Sequence, residues 1–128
     1  MQTETLTAAV HNSCPDLDAQ RVAQCTLITL DALGEHLSTE TGDRVASGLP
    51  DDAAGALRSG SRRADTTGES VKIGVFLDKV RTRTELPPEQ ADSLTYAVAI
   101  TLAHMLDESR VQLLRDRLPS ELDRLFRD

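Results

Sequence analysis

Leu94-Thr95-Tyr96-Ala97-Val98-Ala99-Ile100-Thr101-Leu102-Ala103-His104-Met105-Leu106 is a thirteen-residue run in which only Thr95, Tyr96, Thr101 and His104 bear a polar group. It is too long for an ordinary strand and contains no glycine or proline, so it reads as a helix that is apolar on every side. A helix of that kind has to be enclosed, either by the other helices of its own chain or by a second subunit. Central burial is the simpler reading. Homodimerisation is the other, since symmetric pairing is the usual fate of such a surface.

Outward from this segment, apolar residues recur at spacings of three and four, and no stretch sustains the period-two alternation of a strand. The chain is therefore expected to be all-α. A first helix is predicted over about 3–13, ending near Cys14 because Pro15 disfavours helical geometry in the residue before it. Asp16 or Asp18 caps a second helix over 18–36. Its Gln20, Gln24, Asp31 and Glu35 share one narrow stripe, opposite Val22, Cys25, Leu30, Leu33 and Leu37. Ser38 or Thr39 opens a third helix through about Ser47, and Leu49-Pro50-Asp51-Asp52 starts a short fourth. Residues 59–69 have linker composition, with Gly60, Ser61, Thr66, Thr67 and Gly68 and no apolar periodicity.

Beyond the linker the order returns, with helices at about 70–84, 88–106 and 107–117, and a last one after Leu118-Pro119. Sliding residues 17–57 by 69 positions pairs Leu17 with Leu86, Thr26 with Thr95, Leu33 with Leu102, Leu37 with Leu106, Leu49 with Leu118 and Pro50 with Pro119. Before Leu17 the offset is 70, which pairs Leu6 with Phe76 and Val10 with Val80. These matches fall on core positions and helix starts, the signature of an internal repeat. The expected architecture is one domain, 1–128, forming a bundle of about eight helices from two pseudo-repeats of four, 1–59 and 70–128, joined by a linker at 60–69.

Two stretches carry a family resemblance. Leu30-Asp31-Ala32-Leu33-Gly34-Glu35-His36-Leu37 followed by Gly48-Leu49-Pro50-Asp51-Asp52, and the closing Arg115-Asp116-Arg117-Leu118-Pro119-Ser120-Glu121-Leu122-Asp123-Arg124-Leu125-Phe126, resemble the bacterial domain-of-unknown-function family 2267. The resemblance covers nearly the whole chain and implies an intracellular helical fold with duplicated halves. It implies no catalytic motif. Ala54-Gly55-Ala56-Leu57 departs from it, standing where a bulkier, more charged segment is expected.

Composition narrows the function. Hydrophobic residues make up 39% of the chain, yet Phe76, Tyr96 and Phe126 are its only aromatic residues, too few for a platform on which bases or sugars stack. The net charge of -7 opposes general binding to nucleic acid or anionic membranes. Only residues 60–84 are basic. With two cysteines, no basic region followed by an apolar run at the N-terminus and no membrane-length apolar run, the expected compartment is the cytoplasm, with reduced thiols.

Candidate site residues are few. His11, Cys14, Cys25 and His36 are the possible soft-metal ligands. Cys25 and His36 stand about 16 Å apart by helical rise, so they cannot share an ion, and no metal or cofactor is expected. His36 and His104 end the two long helices, where a protonated imidazole meets the negative end of the helix dipole. A sharper alternative has His36, Tyr96 and His104 converging on a ligand pocket between the repeats. Lys72, Lys79 and Arg83 share a side of the fifth helix and form the best electrostatic contact surface, with a solvated face as the ordinary explanation.

The expected function is a non-enzymatic interaction or regulatory module with a protein partner, and self-association is one way to form its surface. A small ligand-binding protein or enzyme, and a nucleic-acid accessory protein using the basic face, are the alternatives.

Overall fold

The computed structural model describes residues 3–63 and 73–118, together with Leu122 and Leu125. Among the described residues there are seven helices and no strand: α1 (Thr3–Ser13), α2 (Ala19–Gly34), α3 (Thr39–Ala46), α4 (Asp51–Arg63), α5 (Ile73–Thr84), α6 (Pro88–Met105) and α7 (Glu108–Arg117). The all-helical expectation holds. The predicted final helix lies outside the described residues, apart from Leu122 and Leu125, which are buried.

Local chemistry accounts for where the helices begin. Asp18 accepts from the Arg21 amide at 2.7 Å, Ser38 from Thr41 at 3.2 Å and Asp107 from Arg110 at 3.1 Å, each satisfying an otherwise orphaned N–H. Pro87 and Pro88 open α6 in place of a side-chain cap. Between α1 and α2 the His11 ring donates from Nε2 to the Leu17 carbonyl at 2.7 Å, closing the turn around Pro15.

The core is aliphatic. Leu6, Val10, Val22, Leu30, Leu57, Leu94, Val98, Leu102 and Leu114 are essentially inaccessible, and Phe76 is the large aromatic side chain among them. α2 lies centrally, packed on α1, α4, α5 and α6, while α1 also packs on α6 and α3 packs on α4 and α7. Arg21 ties α2 to the end of α5 by donating to the Thr84 carbonyl at 3.0 Å. Arg110 of α7 reaches the C-terminus of α3, donating to the Arg44 carbonyl at 2.9 Å and to Ser47 Oγ at 2.9 Å. It lies over Gly48, where a Cβ would stand 2.8 Å from Arg110 Cδ.

Two expectations are corrected. The linker expected from residue 60 begins inside α4, which continues to Arg63. Gly60 and Ser61 are small because α4 presses against its neighbours there: a Cβ on Gly60 would stand 2.0 Å from the Asp31 carbonyl oxygen, and one on Gly34 would stand 2.3 Å from that of Leu57. At Gly60 and Ser61, what reads as linker composition is a backbone-to-backbone helix crossing, and the rest of the expected linker, 64–69, lies outside the described residues. The second correction concerns 94–106. Leu94, Thr95, Ala97, Val98, Ala99, Leu102 and Leu106 are buried, but Tyr96 and Ile100 are 39% and 37% exposed, and His104 is exposed. The chain encloses most of that helix and leaves one stripe of it bare. No helix among the described residues is long and apolar enough to cross a membrane.

Candidate functional site

The polar stripe of α2 ends at Glu35, the residue that caps the helix. Instead of facing water, its carboxylate is 13% exposed and covered by α5: Lys79 Nζ donates to Oε1 at 3.0 Å, and Arg83 grips both oxygens, NH1 to Oε2 at 2.7 Å and NH2 to Oε1 at 3.2 Å. Arg83 NH1 also stands 4.0 Å from Asp31 Oδ1, one turn back on α2. Two cations thus sit at the C-terminal end of the central helix, where its dipole is negative.

His36 belongs to this cluster. Lys79 Nζ donates to its Nε2 at 3.1 Å, so Nε2 carries the lone pair and the ring proton is on Nδ1. The ring meets Phe76 edge-on at 5.8 Å. Burial, with the positive charge of Lys79 as the next cause, pushes the imidazole from 6.5 down to about 4. His36 is therefore neutral at pH 7, which corrects the expectation of a protonated imidazole at this helix end. Its lone pair, the one a general base would use, is already occupied by Lys79.

Beside the cluster an open groove of about 520 Å³ runs between α2 and α4, lined by Leu27, Ile28 and Asp31 on one side, Ala56 and Ser59 on the other, and Arg83 at its edge. Leu27, Ile28 and Ala56 are half-buried and form an apolar floor. Asp31, Ser59 and Arg83 supply a polar rim. The groove is open where the sequence carries its short Ala54-Gly55-Ala56 stretch: Ala56 faces the groove with a methyl group where a longer side chain would fill it.

The residues singled out from sequence separate. His36, Lys79 and Arg83 come together around Glu35; Tyr96 and His104 lie on the exposed stripe of α6; Lys72 lies outside the described residues. Lys79 and Arg83 are engaged with Glu35, and Arg81 with Asp92 at 2.6 Å and Asp78 at 2.8 Å. Among the described residues, the basic stretch of the sequence is thus largely paired with the protein's own acids. Among the described residues no three His, Cys, Asp or Glu side chains are grouped to hold a metal. Cys14 and Cys25 are free, buried thiols whose pKa values are raised by burial.

The model of a family of uncharacterised conserved proteins, DUF2267, matches residues 4–125. The chain belongs to that family. No curated protein matches it. The DUF2267 match spans both long helices and the groove between α2 and α4, so groove and cluster lie within the family's extent.

Proposed function

We propose that this DUF2267 protein is a non-enzymatic protein-interaction module built from two helical repeats, with the groove between α2 and α4 as its binding surface. The observation that carries the reading is the half-buried Leu27–Ile28–Ala56 floor beside an ion-pair rim. An apolar floor with a few fixed polar groups is how proteins hold an amphipathic partner segment. The neighbouring ionisable groups are committed to one another, with Glu35 neutralised twice and the neutral His36 ring held at its Nε2 lone pair by Lys79. That favours recognition over catalysis.

The spacing of the helices supports the two-repeat part of the reading. α2 and α6 start 69 residues apart and α3 and α7 start 69 apart, as do the caps Ser38 and Asp107. The packing pairs up in the same way. α1 lies on α2 and α6, α5 lies on α6 and α2, α2 meets α6, and α3 meets α7, as expected for two like halves related by an approximate two-fold axis. Free, buried thiols support a reducing, cytoplasmic setting.

A photo-cross-linking amino acid placed at Leu27, with one at exposed Gly55 as control, tests the groove in cells of the source organism. The reading expects a protein adduct at position 27, absent at position 55 and abolished by Arg83→Glu. No adduct at 27, or equal adducts at both positions, rejects it. A small-molecule occupant is the second reading, favoured because the groove volume falls within the range of about 300–1,000 Å³ typical of ligand sites. Saturable thermal stabilisation by a metabolite, lost in Ile28→Glu, would select it.

A further inference from the structure

Among the described residues three large apolar side chains are more than a third exposed: Val75 at 58%, Tyr96 at 39% and Ile100 at 37%. Two of the three stand four residues apart on α6. With Asp92 one turn before and His104 one turn after, they form a single row at i, i+4, i+8 and i+12. Rows at that spacing are the ridges that interlock in the commonest class of helix–helix packing. We infer that this α6 ridge pairs with the same ridge of a second copy of the chain, antiparallel, about a two-fold axis passing near Val98.

The order of side chains along the ridge selects that partner. Reversed on itself about position 98, the row places Tyr96 against Ile100 of the second copy, and Asp92 against His104 of the second copy, each contact made twice. A two-fold contact requires such self-complementarity, because every residue meets the image of its counterpart. Shifting the axis to position 100 would instead bring Tyr96 against His104 of the copy and leave Asp92 with no counterpart on α6, which ends at Met105. Asp92 is 30% exposed and accepts two hydrogen bonds from Arg81, which leaves lone pairs for an imidazole N–H. Between Asp92 and Asp107 α6 carries no Asp, Glu, Lys or Arg, so two molecules of net charge -7 meet across an uncharged face. Ile100 stands, at the repeat spacing, where α2 has Asp31, an acid that two-fold pairing would oppose to its neighbours.

A single helix ridge falls short of the roughly 1,200 Å² of a standard stable interface, so the pair dissociates at concentrations on the order of tens of micromolar. The α2–α4 groove is elsewhere on the surface, and its reading and this one fail independently.

Sedimentation equilibrium between about 5 and about 500 µM tests the pairing. The weight-average mass should rise from 13.9 kDa toward twice that value. Ile100→Asp, a change at a solvent-facing position, should leave the circular dichroism spectrum intact and keep the protein monomeric throughout. His104→Lys should tighten the dimer and His104→Asp weaken it. The register has its own test: an equimolar mixture of Tyr96→Cys and Ile100→Cys chains should form a disulfide dimer faster than either variant alone. A mass of 13.9 kDa at every concentration, a dimer undiminished by Ile100→Asp, or a mixture no faster than its components would overturn the proposal.

Discussion

Gly60 and Gly55 lie on the same helix, five residues apart, and the structure assigns opposite signs to the same substitution at each. A Cβ at Gly60 would fall 2.0 Å from the Asp31 carbonyl oxygen and 2.9 Å from its carbon, both backbone atoms of the central helix. Ordinary contact begins near 3.4 Å, so α4 would have to retreat by roughly 1.4 Å, or α2 would have to bend. Forcing extra volume into a tight contact costs about 1–3 kcal/mol, and neither atom here is the yielding end of a side chain. Alanine returns up to about 1 kcal/mol over glycine in a helix interior, less toward its last turn. Gly60→Ala should therefore destabilise the protein by about 2 kcal/mol. At Gly55 a Cβ meets nothing within 4 Å, and only the propensity gain of about 1 kcal/mol remains. The two variants should differ by about 3 kcal/mol, a separation of about 2 M in urea midpoint at a slope of about 1.5 kcal/mol/M. Coincident urea curves for Gly60→Ala and Gly55→Ala would refute the close crossing.

Other consequences follow from the same packing. Glu35→Gln leaves Lys79 and Arg83 facing each other without their shared anion, and should cost about 2 kcal/mol in chemical denaturation; a loss below about 0.5 kcal/mol would mean that the cluster is electrostatically idle. Because the native His36 pKa lies near 4, below the unfolded value near 6.5, the unfolded chain binds more protons between those limits. Stability should be full above pH 6.5 and fall as pH drops toward 4, and His36→Phe should flatten that slope. The imidazole resonances followed by NMR should titrate near 4, moving upward in Lys79→Met as the like charge is removed. Arg110→Ala removes the link between α7 and the end of α3, and should cost about 1 kcal/mol while speeding amide exchange in α7 more than in α2.

Much of the helix layout was legible because helix signals are local. Pro15, Asp18, Ser38, Pro50 and Asp107 act within a turn of themselves, and each marks a boundary in the structure within a residue or two of its expected place. The end of α4 was not legible. Gly60 and Ser61 resemble linker residues in composition, and only the approach of α2 explains why small side chains stand there. The candidate site was legible in part. His36, Lys79 and Arg83 stand out as ionisable residues, but that they meet around Glu35 depends on α5 crossing the end of α2, at sequence separations of 43 or more. Leu27 and Ile28 carry no signal of their own. The clue to the groove was indirect, the short Ala54-Gly55-Ala56 stretch where a bulkier segment is expected. The run from Leu94 to Leu106 has apolar residues on every side of the helix, which points to burial without saying which side the chain leaves bare.

Amide hydrogen exchange of the labelled protein, purified alone and then incubated in an extract of its own cells, tests the central functional claim most directly. The groove account predicts slowed exchange in peptides spanning about 24–31 of α2 and 56–63 of α4, with α3 and α7 unchanged. Protection confined to other surfaces, or identical exchange with and without extract, would contradict it.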